Sequence, residues 1–290
     1  MRWTARRIHV AAVGTESPEL GASQIARALD ALAGRRIAVL TGAGVSTDSG
    51  IPDYRGDGSP RRTPMTFQDF TGDEAKRRRY WVGSHLGWRS FSSTRPNRGH
   101  RALAALEAAG KVTGLVTQNV DGLHLRAGSR AVVELHGDMR GVTCLACGTR
   151  FPRELVARRL ERDNPALARP DGVALGPDGD VLPQSWEDVT VPDCTVCDGI
   201  LKPDVVFFGE LVPAARTRAA EQVVDDADAL LVAGSSLAVN SGLRLVSRAR
   251  RRGSPIVIIN RGATKGDDRA DMKIDAGTTE TLEALASALA

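Results

Sequence analysis

Two Cys-x-x-Cys pairs, Cys144/Cys147 and Cys194/Cys197, hold all four cysteines of the chain and restrict its fold more than any other feature. Each pair can present two thiolates from one tight turn, and four thiolates close a tetrahedral zinc shell. The 46 residues between Cys147 and Cys194 exceed a short zinc ribbon, so an insertion must loop out while the pairs meet. Part of it, from Pro170-Asp171-Gly172 through Pro177-Asp178-Gly179-Asp180, reads as turns. Free or redox-active cysteines are the competing reading; the paired spacing favours metal. A four-thiolate shell leaves no position for water, so one structural zinc ion is expected, bracing a small module over 141–202.

Outside that module the pattern is an alternation of apolar strands and amphipathic helices. A helix is predicted over Ser23–Ala33, with Ile25, Ala26, Leu29 and Leu32 at helical spacing. Arg36–Leu40 reads as a buried strand that runs straight into Thr41-Gly42-Ala43-Gly44-Val45-Ser46. Further strands are expected at Val112–Thr117, Val132–Leu135, Ala229–Ala233 and Pro255–Ile259, with helices at Gly99–Ala109, Pro213–Asp226 and Ser241–Arg252. Strands apolar along their whole length argue for a parallel sheet covered on both faces. The 290 residues suit one large domain carrying a smaller one. The expected fold is α/β: a Rossmann-like doubly wound parallel sheet, with a smaller zinc-binding module and a helical insertion. The predicted parts are an arm over 1–22, the Rossmann-like domain over 23–55, 99–140 and 203–290, the insertion over 56–98, and the zinc module.

Several strand ends carry small or polar residues, where α/β sheets bind ligands. Gly42, Ala43 and Gly44 would let backbone approach a pyrophosphate, Ser46 could bond its oxygens, and Arg55 could meet a phosphate or ribose. Thr117-Gln118-Asn119-Val120-Asp121 follows a strand; Asp121 is equally well read as a helix cap. His136-Gly137 ends another, and His136 alone among five histidines both closes a strand and precedes the zinc module. Gly234-Ser235-Ser236 and Asn260-Arg261-Gly262 are placed to hold the ribose or adenine of a dinucleotide.

Charge excludes little. The net charge is +4, and all but five of the 39 basic residues are arginine, spread along the chain. The clusters at Lys76–Arg79 and Arg250–Arg252 read as solvated surface, so no nucleic-acid partner is expected. No apolar run reaches the ~18 residues of a membrane span. The first twenty residues carry Arg2, Arg6 and Arg7 without a secretory apolar core, and a cytoplasmic location is expected.

Together these segments resemble the sirtuins, the NAD-dependent protein deacylases. The matching pieces, in family order, are Gly42–Arg55, Thr117–His124, His136-Gly137, the four cysteines, Lys202–Glu210, Gly234–Leu237 and Ile258–Asn260, spanning about residues 25 to 285. Arg79-Tyr80-Trp81 with Gly87-Trp88, Gly176–Asp180 and Gly234–Gly242 look like the class II branch. Tyr54 stands where most sirtuins have Phe, and Asn240-Ser241 replaces a proline-containing step.

The resemblance implies that NAD lies across the sheet, that nicotinamide leaves its ribose, and that the carbonyl of an acyl-lysine protein attacks in its place. His136 as general base then deprotonates a ribose hydroxyl, and deacylated lysine and O-acyl-ADP-ribose result. By the same match Asn119 orders ribose and a water, and Asp121 with Ile51 holds the nicotinamide amide. Gly42, Ala43, Gly44, Ser46, Pro52, Asp53, Tyr54, Arg55 and Gln118 would surround pyrophosphate and ribose. Gly234, Ser235, Ser236, Asn260, Arg261 and Gly262 would take the adenosine half, with Thr278 near the adenine. Val205–Gly209 and the stretch after Leu237 would clamp substrate peptide by strand addition.

The succinyl-preferring branch uses Tyr-x-x-Arg; here Tyr80 is followed three residues later by Gly83, so the pair is absent, which argues against acidic acyl chains. Trp81, His85 and Trp88 share a helical face, which could line an acyl channel but is better read as core packing. Two rival functions remain: protein mono-ADP-ribosyltransfer, and a non-catalytic NAD or ADP-ribose-binding module. A dehydrogenase fits poorly, since the first loop lacks Gly-x-Gly-x-x-Gly, with Thr at position 47.

Overall fold

The computed structural model describes residues 18–54, 63–167 and 174–289. In chain order the helices and strands are α1 (Pro18–Leu32), β1 (Ile37–Thr41), α2 (Phe67–Gly72), α3 (Glu74–Ser93), α4 (Arg98–Ala108), β2 (Val112–Thr117), α5 (Leu123–Ala127), β3 (Val132–Glu134), β4 (Gly137–Cys144), β5 (Arg150–Pro152), α6 (Arg153–Asp163), β6 (Leu201–Val205), α7 (Ala214–Asp225), β7 (Ala229–Ala233), α8 (Asn240–Arg251), β8 (Ile256–Ile259), β9 (Met272–Ile274) and α9 (Thr278–Leu289).

The main sheet is parallel, in the order β3-β2-β1-β7-β8-β9. Strands β1, β7 and β8 are buried at every residue, which is why they read as unbroken apolar runs. The chain builds outward from β1 on one side and then returns to start β7 on the other. That reversal places a topological switch point between β1 and β7, with all carboxyl ends on one edge.

One apolar cluster joins one sheet face to α1, α4 and α9, through Leu32, Leu103, Leu106, Leu282 and Leu285. Another joins the opposite face to α7 and α8, through Val224, Leu245 and Val246. A third is built from Phe70, Trp81, Trp88, Val142, Val156 and Leu201, and joins α2, α3 and α6 to the second sheet. That sheet is antiparallel, in the order β5-β4-β6.

The structure departs from the sequence reading in places. Helix α1 starts at Pro18, five residues before the expected Ser23. The second sheet, β9, α6 and α9 were not anticipated. Strands β5 and β9 are only three residues long, too short to show a period. Trp81, His85 and Trp88 are buried, as the packing reading expects. The guanidinium of Arg153 stacks 4.8 Å from the Trp81 ring and 5.3 Å from the Trp88 ring. Pro170-Asp171-Gly172 and most of the expected N-terminal arm lie outside the described residues. No helix among the described residues is long and apolar enough to cross a membrane.

Candidate active site

The loops after β1 and β7 interlock through bare backbone. A Cβ on Gly42 would lie 2.8 Å from the Gly234 carbonyl oxygen, and one on Gly234 would lie 2.4 Å from the Val45 nitrogen. Gly234 also has φ +63, a conformation glycine adopts without strain. The Gly44 N–H donates to the Gly234 carbonyl at 2.8 Å, sealing the contact.

Polar side chains gather above this seam. Asn119 Nδ2 donates to the Gly42 carbonyl and to Ser46 Oγ, each at 3.1 Å. Ser46 Oγ donates to Asp121 Oδ2 at 2.7 Å, while Asp121 Oδ1 accepts from the Leu123 N–H at 2.8 Å. Asp121 therefore does both things the sequence allowed, steadying the start of α5 and facing the loop. Burial raises its pKa above the ordinary carboxylate value.

His136 sits at the carboxyl end of β3. Its Nδ1 lies 3.0 Å from the Gln118 carbonyl oxygen, which can only accept. The neutral ring therefore carries its proton on Nδ1, leaving Nε2 as the basic nitrogen. Burial lowers its pKa, the Gln118 bond opposes that shift, and Arg216 adds to it. The chain turns sharply after it: Gly137 has φ +86, and a Cβ there would lie 1.9 Å from the Asp204 carbonyl oxygen.

These pieces line one cavity of about 1530 Å³. From the first loop it takes Gly42, Ala43, Gly44, Ser46, Ile51, Pro52, Asp53 and Tyr54, and from the second Gln118, Asn119 and Asp121. His136, Gly234, Ser235, Ser236, Asn260, Arg261, Gly262 and Thr278 complete the group expected from sequence. Arg55 lies outside the described residues. Thr278 Oγ1 donates to the Gly44 carbonyl at 3.1 Å, and Ser235 Oγ donates to Gln118 Oε1 at 2.6 Å. The expected peptide-clamping segments, Val205–Gly209 and the residues after Leu237, border the same cavity.

Three contacts were not foreseen. Tyr54 Oη donates to Asp178, whose carboxyl is pushed up to about 6 by burial. Ser241 Oγ lies 2.8 Å from His136 Nε2. Lys202 Nζ is buried, donates to the Val205 carbonyl and pairs with Glu210 at 3.1 Å, so it shapes the Val205–Glu210 turn. Each joins residues far apart in the chain or on one turn, and no periodicity marks them.

A buried histidine pair lies beside the carboxyl end of β1. His124 Nε2 is 2.9 Å from Thr41 Oγ1, His100 Nδ1 donates to Asn97 Oδ1 at 3.0 Å, and the ring centroids are 4.7 Å apart. Burial, aided by Arg101, lowers His100 to about 4; burial, aided by His100, lowers His124 as well. An unfolded imidazole protonates below about 6.5, whereas the folded His100 does so only near 4. The pair therefore stabilises the fold above about pH 6.5, and that stability is lost as pH falls from there towards 4. The loss attributable to His100 should reach about 3 kcal/mol. Urea unfolding at pH 7 and pH 4.5 should show it, with a smaller difference in His100→Gln; equal differences would remove His100 from the cause.

The four cysteine sulfurs lie within 4.8 Å of one another. Cys144 Sγ is 3.5 Å from Cys197 Sγ, and Cys147 Sγ is 3.7 Å from Cys194 Sγ. A tetrahedron with Zn–S bonds of about 2.3 Å has sulfur–sulfur edges of about 3.8 Å. These two edges match that tetrahedron, and the four cysteines are positioned to hold a zinc ion. Cys144 and Cys194 are buried while Cys147 and Cys197 are exposed, so the site sits at the module surface.

A family model described as Sir2 family matches residues 42–241. The chain belongs to the Sir2 family. Among curated Sir2 relatives, NAD-dependent protein deacetylase 1 of Mycobacterium avium is 54% identical over 278 residues, covering 94% of this chain and 96% of the relative. NAD-dependent protein deacetylase 1 of Streptomyces coelicolor is 52% identical over 258 residues, covering 88% of this chain and 86% of the relative. Among solved structures, a Sir2–p53 peptide–NAD⁺ complex superposes with TM-score 0.73 at 30% identity, covering 90% of this chain and 97% of that one. The Sir2-family match spans both glycine loops, His136 and all four cysteines.

Proposed function

We propose that this Sir2-family protein is an NAD-dependent protein lysine deacylase, with NAD and an acyl-lysine side chain meeting in the cavity and His136 as general base. The observation that carries the reading is the His136 tautomer. With Nδ1–H committed to the Gln118 carbonyl, Nε2 is the nitrogen left to take a proton, and the ring lines the cavity. NAD supplies a ribose carbon from which nicotinamide can leave, and the released energy drives transfer of the acyl group.

The other side chains then have definite tasks. Asn119, Ser46 and Asp121 form one hydrogen-bonded set beside the seam of the two glycine loops. They would hold the nicotinamide ribose and amide, with Ile51, Pro52, Asp53 and Tyr54 closing over them. Gly234–Ser236, Asn260–Gly262 and Thr278 would take the adenosine half. Val205–Gly209 would pair with the peptide backbone. The zinc ion is structural, since its four thiolates leave no open position.

The part of the cavity lined by α3 and the 177–183 segment would receive the acyl chain. Asp178 and Asp180 of that segment and Arg79 of α3 line it, and the Arg79 guanidinium is 5.3 Å from the Trp186 ring centroid. A Cβ on Gly83 would lie 2.4 Å from the Val181 carbonyl oxygen, so no cationic side chain fits there. Acyl chains ending in a carboxylate should therefore be the poorest substrates.

A mass-spectrometric product assay tests this reading. Purified protein is given NAD with acetyl-, succinyl-, lipoyl- and long-chain acyl-lysine peptides together. Nicotinamide, deacylated peptide and O-acyl-ADP-ribose should appear in equal amounts, with succinyl-lysine consumed slowest. ADP-ribose attached to protein without O-acyl-ADP-ribose would make the protein a transferase. NAD binding without nicotinamide release would make it a sensor.

A further inference from the structure

Both ring nitrogens of His136 are engaged, and only one of the partners is backbone. Nδ1 meets the Gln118 carbonyl at 3.0 Å, and Nε2 meets Ser241 Oγ at 2.8 Å. Ser241 is the second residue of α8, lines the cavity and is neither buried nor fully exposed. The next residue fixes the start of this helix: a Cβ on Gly242 would lie 2.8 Å from Gln118 Nε2. Gln118 thus touches the helix start with its side chain and the base with its carbonyl.

The lone pair on Nε2 can accept a single proton donor. With Nδ1 protonated, Ser241 must be that donor in the free protein. A substrate hydroxyl entering the cavity meets Nε2 already occupied. A serine hydroxyl can both give and take a proton bond, donating to the neutral ring and accepting from the protonated one.

We propose that Ser241 is the proton relay between the ribose hydroxyl of the substrate and His136. The proposal rests on the reading of His136 as the base. In the step, the ribose O–H bond breaks and its proton passes to Ser241 Oγ. The Ser241 O–H bond breaks together with it, and that proton passes to His136 Nε2. The ribose oxygen keeps the electron pair of its broken bond and uses it to attack the acyl carbon. Ser241 ends as a hydroxyl, and His136 ends as an imidazolium still donating Nδ1–H to Gln118.

The charges around the ring come from five elements, α7, α8, β3, β4 and β6. Arg216 of α7 faces His136 and lowers its proton affinity, and is itself paired with Asp204 of β6 at 2.8 Å. Glu221 of α7 and Arg244 of α8 line the same cavity. Glu134, two residues back along the chain, pairs with Arg140 at 3.0 Å. Among these groups Ser241 is the one that meets Nε2 directly.

The test joins a measurement on the free protein to kinetics, using Ser241→Ala and Ser241→Thr. A hydrogen bond to the charged ring is stronger than one to the neutral ring, so losing the hydroxyl disfavours the imidazolium. Nitrogen-15 NMR of the ligand-free protein should show the His136 pKa falling in Ser241→Ala, and the acid limb of the rate profile should move to lower pH with it. The Ser241→Ala kcat should fall about tenfold, as for one hydrogen bond to a charged group, with KM for NAD changed less than about twofold. Ser241→Thr should keep kcat within about threefold of wild type, because it keeps the hydroxyl. A wild-type kcat in Ser241→Ala overturns the relay whatever the NMR shows. So does a Ser241→Thr protein that binds NAD normally and is as slow as Ser241→Ala. A His136→Ala control separates the two ideas: if it turns over at the wild-type rate, the base assignment has failed, and not the relay alone.

Discussion

His136→Ala removes acyl transfer while leaving a folded, zinc-loaded protein that still binds NAD. The rate should fall ~10²–10⁴-fold, the usual contribution of a positioned general base. The fold should survive because the imidazole stands at the cavity edge, and its two partners can turn to water when it goes. The effect has a pH signature as well. The base must be neutral to act, and burial sets its pKa below the ordinary histidine value. Wild-type activity should therefore rise with pH through a midpoint below about 6.5 and level off near neutrality. Single-turnover assays at pH 5.5, 6.5 and 7.5, with calorimetric NAD titration of the variant, check both parts. A folded variant working at the wild-type rate would take the imidazole out of the chemistry.

Zinc removal should be nearly as severe, by a different route. Cys144 ends β4 and pairs in register with Leu201, the first residue of β6. The opposite end of the same two strands pairs Gly137, next to His136, with Val205. Structural zinc supplies about 10–16 kcal/mol of apparent binding energy in small modules, which matches or exceeds the ~5–15 kcal/mol stability of a typical domain. Stripping the ion should open the β5-β4-β6 sheet and expose Phe151, Val156 and Leu201. The disturbance should run along β4 to the residues beside the base. Hydrogen–deuterium exchange of chelator-treated protein should show the loss over 140–205, with the parallel sheet still protected. Cys144→Ser should reproduce it. Full protection of β4 and β6 in a sample shown to be free of zinc would deny the ion its structural role.

What could be read from the chain beforehand follows from how each element is stabilised. Strands β1, β7 and β8 are covered on both faces, so burial alone writes them into the sequence as Ile, Val, Leu and Ala, save for Thr41 at the end of β1. Strands β4 and β6 have mixed faces and a shift in register between Asp138 and Val142, which erases a clean alternation. Helix α9 opens with Thr278, Thr279 and Thr281, residues that favour caps and turns over helix, and so it reads as loop. In the cavity, residues at strand ends were legible because the sheet itself delivers them to one edge. Ser241 and Asp178 were not, since they arrive from the start of a helix and from an irregular segment. Only three-dimensional packing brings them to His136 and Tyr54.

The bare face of α3 carries a consequence for what the enzyme can accept. Gly83 and Gly87 lie flush against the segment that carries Asp178, with Cβ positions 2.4 Å from the Val181 oxygen and 2.0 Å from the Gly179 oxygen. Two missing side chains thus set how far one wall of the binding chamber reaches inward. A methyl group at either place would lever that wall outward and pull Asp178 away from Tyr54. Cargo length and the grip on the neighbouring aromatic ring would then change in the same stroke, so neither property can drift during divergence without the other.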